Sequence, residues 1–263
     1  MRKRSLVVGL LAAAATAVSG AAATGALADP ADNSDEVQPY IVGGHDATEE
    51  YSFVVSLQQQ GQHFCGGSLI ASDWVLTAAH CVDGASPSQV QLRIGSLDRT
   101  SGGEEAQAAE ITVHPDYNGT NDIALIKLES PVEATPIQLG SSADVGTESR
   151  ILGWGQTTPQ PGGDSGPDTL QELDVAVVDP SGCAGGQIDA DTELCTDNPG
   201  GDSGACYGDS GGPQIAKEGG NWVLIGATSR SGGSSTCAIE PSIYTSTVAH
   251  ADWVNEVTGG AVS

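Results

Sequence analysis

From Phe53 onward the apolar positions fall in short runs, separated by clusters of Gly, Ser, Asp and Pro. In the first half these runs are Phe53–Gln58, Gly67–Ile70, Trp74–Ala78, Val90–Ile94, Ile111–His114 and Ile123–Leu128. In the second half they are Arg150–Trp154, Leu170–Val178, Gly212–Ala216, Trp222–Thr228 and Ile243–Thr245. Turn signals divide them, among them Gln60-Gly61, Ser101-Gly102-Gly103 and Glu218-Gly219-Gly220. Many short strands at this spacing predict an all-β barrel or sandwich. One helix is predicted at the end, Ser246–Val257, where Val248, Trp253, Val254 and Val257 share a face. Residues 131–146 are poor in strand pattern and divide the chain into halves, predicted as units 41–135 and 136–263.

The first forty residues depart from this pattern. Arg2-Lys3-Arg4, an alanine-rich apolar run and Ala26-Leu27-Ala28 read as a secretory signal peptide over residues 1–28. Thr16, Ser19, Gly20 and Thr24 interrupt the run and argue against a membrane anchor. No later segment is apolar enough to span a bilayer. Residues 29–40 are polar and acidic, with Pro30 and Pro39, and read as a short propeptide. Ile41-Val42-Gly43-Gly44 then follows abruptly, a sequence suited to insertion into a pocket and a sharp bend. The expectation is a secreted, extracellular, soluble protein.

Composition adds two constraints. Six cysteines in a secreted chain fit three disulfides, with 15 pairings open to sequence alone. The net charge is −25; residues 1–40 hold three basic and four acidic side chains, so the part from Ile41 carries −24. Such a surface favours solubility and repels nucleic acid and anionic membranes, neither of which is an expected partner.

Three segments carry candidate chemistry. Leu76-Thr77-Ala78-Ala79-His80-Cys81 sets a histidine at the end of an apolar strand. Asn121-Asp122-Ile123 sets a carboxylate at the entrance to another, where a partly buried Asp needs a hydrogen-bond partner such as a histidine N–H. Gly-Asp-Ser-Gly occurs three times, at 163–166, 201–204 and 208–211. Only the third follows a cysteine closely (Cys206) and runs into Gly212-Pro213 and an apolar strand. Small neighbours let a substrate backbone approach Ser210 and leave N–H groups free for an oxyanion.

Taken together, Ile41-Val-Gly-Gly, Thr77-Ala-Ala-His80-Cys81, Asn121-Asp122-Ile-Ala-Leu and Gly208-Asp-Ser210-Gly-Gly-Pro resemble the trypsin/chymotrypsin family of serine endopeptidases. The motifs stand in the family's order, and the match runs from Ile41 through the terminal helix. The resemblance implies two packed six-stranded antiparallel β-barrels with a C-terminal helix. It implies Ser210 as nucleophile, His80 as general base and then acid, and Asp122 as the group that orients the imidazole. Backbone N–H groups of Gly208 and Ser210 would form the oxyanion hole, and Ser229 would hydrogen-bond Asp122. The implied disulfides are Cys65–Cys81, Cys183–Cys195 and Cys206–Cys237.

The same resemblance implies a zymogen. Cleavage after Tyr40 would free the Ile41 amine to pair with Asp209, while His63 and Ser56 match positions that hold this aspartate in the precursor. Gly204 would lie at the base of the primary pocket, where trypsin-like members have aspartate, so an uncharged pocket is expected. Ser231 and Ser242 would narrow its walls. Arg230 stands where the family usually has tryptophan, with acidic residues upstream of the cut one consequence and the protein's own negative charge opposing it. Expected partners are protein or peptide substrates and proteinaceous inhibitors, with the enzyme a monomer.

Other classes fit less well. A catalytically silent relative used for binding usually lacks a triad member or the free N-terminus, and neither is lost here. Lipases and esterases carry their serine in Gly-x-Ser-x-Gly and run Ser, Asp, His, the reverse of the order here. His45, His114 and His250 are scattered without metal-ligand spacing. Glu104, Glu105 and Glu110 lie in a loop too short for a convincing calcium site. No metal or cofactor is expected.

Overall fold

In the computed structural model, residues 41–262 are described, so the predicted signal peptide and propeptide lie outside the described residues. Six strands form the first barrel: β2 (Val54–Gln59), β3 (Gln62–Ala71), β4 (Trp74–Thr77), β5 (Gln91–Ile94), β6 (Glu104–Val113) and β7 (Ala124–Leu128). They close in the order β2-β3-β4-β7-β6-β5, all neighbours antiparallel. The hairpin from β2 to β3 turns at Gln60 and Gly61, both at positive φ (53° and 76°). Two such residues match the right-handed twist of the flanking strands.

A short strand β1 (His45–Asp46) and a two-residue strand β8 (Gln138–Leu139) flank the second barrel. The barrel itself comprises β9 (Glu148–Gly153), β10 (Gln171–Val178), β11 (Glu193–Thr196), β12 (Pro213–Glu218), β13 (Asn221–Ser231) and β14 (Ser242–Ser246). Its order is β10-β11-β14-β13-β12-β9, closed by β9 against β10. Closure leaves neither sheet with a free edge. The architecture is thus two six-stranded antiparallel barrels with few helices.

Alternation of side chains fills the two cores. Val55, Leu57, Leu69, Val75, Leu92, Ile94 and Leu125 are enclosed in the first barrel, and Ile151, Ile225 and Tyr244 in the second, with Leu194 buried beside them. Trp154, Leu152, Leu170 and Leu224 join the first barrel's cluster and tie the barrels together.

The ends of some elements differ from the prediction. The terminal helix is Ala251–Thr258, not Ser246–Val257. Ser246 belongs to β14, and Thr247 bonds across to β13 through its N–H to Ile225 O and its hydroxyl to Leu224 O. Sheet pairing therefore holds the first residues of the predicted helix. The strand β11, absent from the prediction, pairs with β14 from Glu193 to Thr196. Among the described residues no helix is long and apolar enough to cross a membrane.

Candidate active site

His80 sits on α1 (Ala79–Val82), a single turn following β4, and its neighbour Cys81 is disulfide-bonded to Cys65 on β3. Asp122 lies at the entrance to β7, after Asn121 at φ 48°. Its carboxylate receives three hydrogen bonds: from His80 N (2.9 Å), His80 Nδ1 (2.7 Å) and the Ser229 hydroxyl (2.7 Å). Burial works against the charge of Asp122, but the hydrogen bond and charge of His80, with Ser229, hold its pKa below the usual carboxylate value. Because Oδ2 can only accept, Nδ1 carries the proton and Nε2 is left as the ring's acceptor.

Ser210 stands at the tight turn before β12. Gly208 has φ +100° and Gly211 φ +76°, conformations that favour glycine. A side chain at Gly211 would collide with the Thr77 hydroxyl, so the turn can close only on glycine. The Ser210 carbonyl accepts from Gly66 N at 2.8 Å, which anchors the turn to the first barrel. His80 and Ser210 line one cavity of about 380 Å³, together with Ser229, Arg230, Ser231 and Ser242. No hydrogen bond joins the Ser210 hydroxyl to the imidazole, a separation common in empty sites. Among the described residues, no acceptor takes the Gly208 or Ser210 N–H.

Asp209 points away from this cavity into the protein and is 2% exposed. Its carboxyl accepts from Gly155 N and Cys206 N, both at 2.8 Å. Burial pushes its pKa up to about 7, against the pull of those two N–H groups. His63, assigned by resemblance to hold Asp209, does not meet it in this structure. Instead its Nε2 donates to Gly208 O (3.0 Å), and its Nδ1 lies 2.9 Å from the Ser56 hydroxyl. Burial drives the His63 pKa down to about 4, so the ring is neutral and Ser56 donates to Nδ1. Ile41 is buried in the second barrel's cluster and lies at φ 37°, which a β-branched residue normally avoids.

Gly204 is buried beside the cavity wall. A Cβ on it would come 3.8 Å from Ala238 Cα and 3.9 Å from the Ser242 hydroxyl, and Ala238 and Ser242 form that part of the wall. No carboxylate is among the residues facing the cavity. Arg230 does not reach out along the groove but folds back onto Glu193 of β11.

Sequence reasoning missed several residues on which the site depends. Gly153 and Gly155 flank Trp154, and a Cβ on either would strike the Asp209 carboxylate. The pair of glycines around a tryptophan was the available signal. Glu193 and Arg99 carried no local signal, since their side-chain partners lie far off in sequence, and Gln58 is tied to Arg99 O, 41 residues on, as well as to nearby Ser56. The implied disulfides are all present: Cys65–Cys81, Cys183–Cys195 and Cys206–Cys237. Among the described residues, the only group spaced to hold a metal is Cys65, His80 and Cys81, and its two sulfurs are bonded to each other. Glu104 instead accepts from Glu133 N and Ala134 N, and Glu105 pairs with Arg93.

Residues 41–254 match the family model for trypsin. The chain is similar to a trypsin of Sus scrofa, 38% identical over 244 residues that cover 86% of this chain and 97% of the relative. A trypsin of Saccharopolyspora erythraea is 35% identical, covering 84% and 100% respectively. A protein named fibrinolytic enzyme, isozyme C, from Lumbricus rubellus is 33% identical, covering 82% and 99%.

Proposed function

The chain belongs to the trypsin family of serine endopeptidases, and from that membership we propose that it cleaves peptide bonds through His80, Asp122 and Ser210 by way of an acyl-enzyme. The Ser210 hydroxyl attacks the scissile carbonyl while His80 Nε2 takes its proton. Negative charge moves onto the carbonyl oxygen, where the Gly208 and Ser210 N–H groups donate to it, an interaction worth roughly 100- to 1000-fold in turnover per donor. The C–N bond then breaks as the imidazolium passes its proton to the leaving amine. Water repeats the sequence on the acyl ester, giving up its proton to His80 and freeing Ser210. Asp122 stays ionised throughout and stabilises the imidazolium. The observation that carries this reading is the fixed tautomer of His80, set by Asp122 beside the cavity that Ser210 shares.

The enzyme is made as a zymogen, cut before Ile41. Support comes from the uncharged burial of Ile41, from its φ of 37°, and from the enclosed carboxyl of Asp209. Severing the bond before Ile41 abolishes that unfavourable torsion and creates an amine able to offset the buried charge of Asp209. The cavity, with serine hydroxyls and Ala238 on its walls and no carboxylate, suits an apolar residue before the cut, in a chymotrypsin- or elastase-like manner. The protein is exported by residues 1–28, loses residues 29–40, and works outside the cell as a monomer built from units 41–135 and 136–263. Its partners are protein or peptide substrates and proteinaceous inhibitors.

A fluorophosphonate ester, which phosphonylates an activated serine, tests the reading. With processed protein, peptide mapping places the adduct on Ser210, and His80→Ala prevents it. A folded, processed protein that takes no label would instead be a catalytically silent member of the fold.

A further inference from the structure

The first Gly-Asp-Ser-Gly copy, at 163–166, plays no part in the chemistry above, yet its aspartate gathers donors from three residues. The Asp164 carboxylate accepts from Thr158 N (2.9 Å), the Thr158 hydroxyl (2.6 Å), Gly166 N (2.8 Å) and Thr157 N and hydroxyl (3.2 and 3.1 Å). Burial opposes its charge, but these donors hold its pKa down at about 2. Gln156 fastens the loop to the reacting turn: its side chain donates to Asp164 O (2.6 Å) and its N–H to Tyr207 O (2.7 Å). The preceding N–H, of Gly155, is one of the two that the Asp209 carboxyl accepts.

One side chain from the other barrel grips this loop. The Arg99 guanidinium donates to Ser165 O (3.0 Å), Gly166 O (2.9 Å) and the Asp168 carboxylate (3.2 Å), and it is 12% exposed. Antiparallel backbone bonds run beside it, Arg99 N to Asp168 O and Leu170 N to Leu97 O. The carbonyl of the same residue starts a second path. Gln58 Nε2 donates to Arg99 O (2.6 Å) and to the Ser56 hydroxyl (3.1 Å); Ser56 donates to His63 Nδ1, and His63 Nε2 donates to Gly208 O. Gln58 donates in both directions, back to Arg99 O and forward to Ser56, and from Ser56 the donors run one way through His63 to Gly208 O, so the Gln58 amide ties the two ends together.

We propose that Arg99 is a positioning residue for the Gly208–Ser210 turn, acting through both of these paths. The inference rests on the oxyanion role given above to Gly208 and Ser210. The Gly208 carbonyl is held from one side by His63, and the Tyr207 and Asp209 flanks from the other by Gln156 and Gly155. Between them the peptide units that aim the two N–H groups are fixed before substrate arrives. Preorganised donors of this kind need no reorganisation as charge develops, and a small misplacement is expressed in turnover rather than in substrate binding.

The test uses the processed enzyme with Arg99→Gln and Arg99→Lys, measuring kcat and KM on a peptide amide, inhibition by a peptide aldehyde, and Tm. The aldehyde forms a tetrahedral adduct whose oxygen needs the two N–H groups; a cleaved product peptide does not. With Arg99→Gln, kcat is expected to fall about tenfold with KM within twofold, and aldehyde binding to weaken by the same factor while product binding is unchanged. Arg99→Lys keeps the charge but spans fewer acceptors, and about a threefold loss is expected. A lower Tm with unchanged kcat and aldehyde affinity would reduce Arg99 to a structural tie and overturn the proposal. Should Arg99→Gln fail to fold, Arg99→Lys decides by the same criterion. Ser210→Ala is run in parallel: its inactivity keeps the proposed chemistry standing whatever Arg99 shows.

Discussion

Arg230 and Glu193 form a two-pronged ion pair in which the Glu193 side chain is fully enclosed, with Nη1 on Oε1 and Nη2 on Oε2 (2.8 Å). The remaining guanidinium N–H groups reach Gly186 O (3.2 Å), Gln187 O (3.4 Å) and the Ser229 hydroxyl (3.3 Å), so all five donors are taken. Arg230 therefore has no donor free for an acidic residue of the substrate. Arg230→Met strands the buried carboxylate and is expected to cost roughly 3–5 kcal/mol, a fall in Tm on the order of 10 °C for a chain of this size. Adding Glu193→Met removes the stranded charge and should restore most of that loss. Calorimetry of the single and double variants checks both expectations. The parent should show no preference for acidic residues upstream of the cut in a peptide library.

The Asp122 contacts make a separate prediction about tautomers. Asp122→Asn presents an amide N–H to His80, which forces Nδ1 to accept and moves the ring proton to Nε2, where it blocks attack. Turnover is expected to fall about 10⁴-fold with folding intact. Ser210→Ala removes the attacking atom, and a loss of about 10⁶-fold is expected. Amide hydrolysis by each variant, alongside circular dichroism, checks the pair. Equal activity of Asp122→Asn and the parent would detach Asp122 from the chemistry.

The residues proposed for catalysis were legible in the sequence because each is a distinctive type beside a short, fixed motif. His80 has Cys81 beside it, and Ser210 has glycines that the turn cannot exchange. The apolar runs marked the strands wherever both barrel and strand interior were enclosed, as in β4 and β7. Elements whose stability comes from remote partners were not legible. β11 reads Glu-Leu-Cys-Thr and begins with a charge, yet it is buried because Arg230 meets Glu193 from 37 residues away. β6 extends back to Glu104 because β5 and β7 take its backbone, although its outward side chains are polar. The glycines at 153 and 155 are required by Asp209, which no local pattern announces.

The cavity wall gives a prediction about specificity. Ala205, Ala238 and serine hydroxyls face it, and the one cation on its wall, Arg230, is already paired with Glu193. Burying a Lys or Arg there would leave a cation without a partner, which costs several kcal/mol. Processed protein on a mixed peptide library should cut after Tyr, Phe or Leu. Cuts confined to Lys and Arg would show that the substrate's side chain enters elsewhere.

The buried carboxyl of Asp209 sets a pH dependence that differs before and after processing. In the described structure its pKa is raised from 3.8 to about 7, chiefly by burial. The folded state therefore keeps a proton that the unfolded chain loses. The resulting stability is full below pH 3.8 and is lost as pH rises through 7. His63 runs the other way, lowered from 6.5 to about 4 by burial. Its contribution is present above pH 6.5 and is lost as pH falls through 4. In the uncut chain the two slopes oppose each other between pH 4 and 6.5. Cleavage before Ile41 supplies an amine that is charged up to about pH 8. Paired with it, Asp209 no longer loses stability on ionising, and the His63 slope stands alone. Ser210→Ala protein, which cannot cut itself, can be prepared uncut and cut by a second protease. Thermal melts from pH 4 to 8 should show the cut form gaining on the uncut form as pH rises, most steeply between the two Asp209 pKa values of 3.8 and about 7, and levelling off above 7. A difference that does not change with pH would separate the Ile41 amine from Asp209 and remove the charge argument for activation.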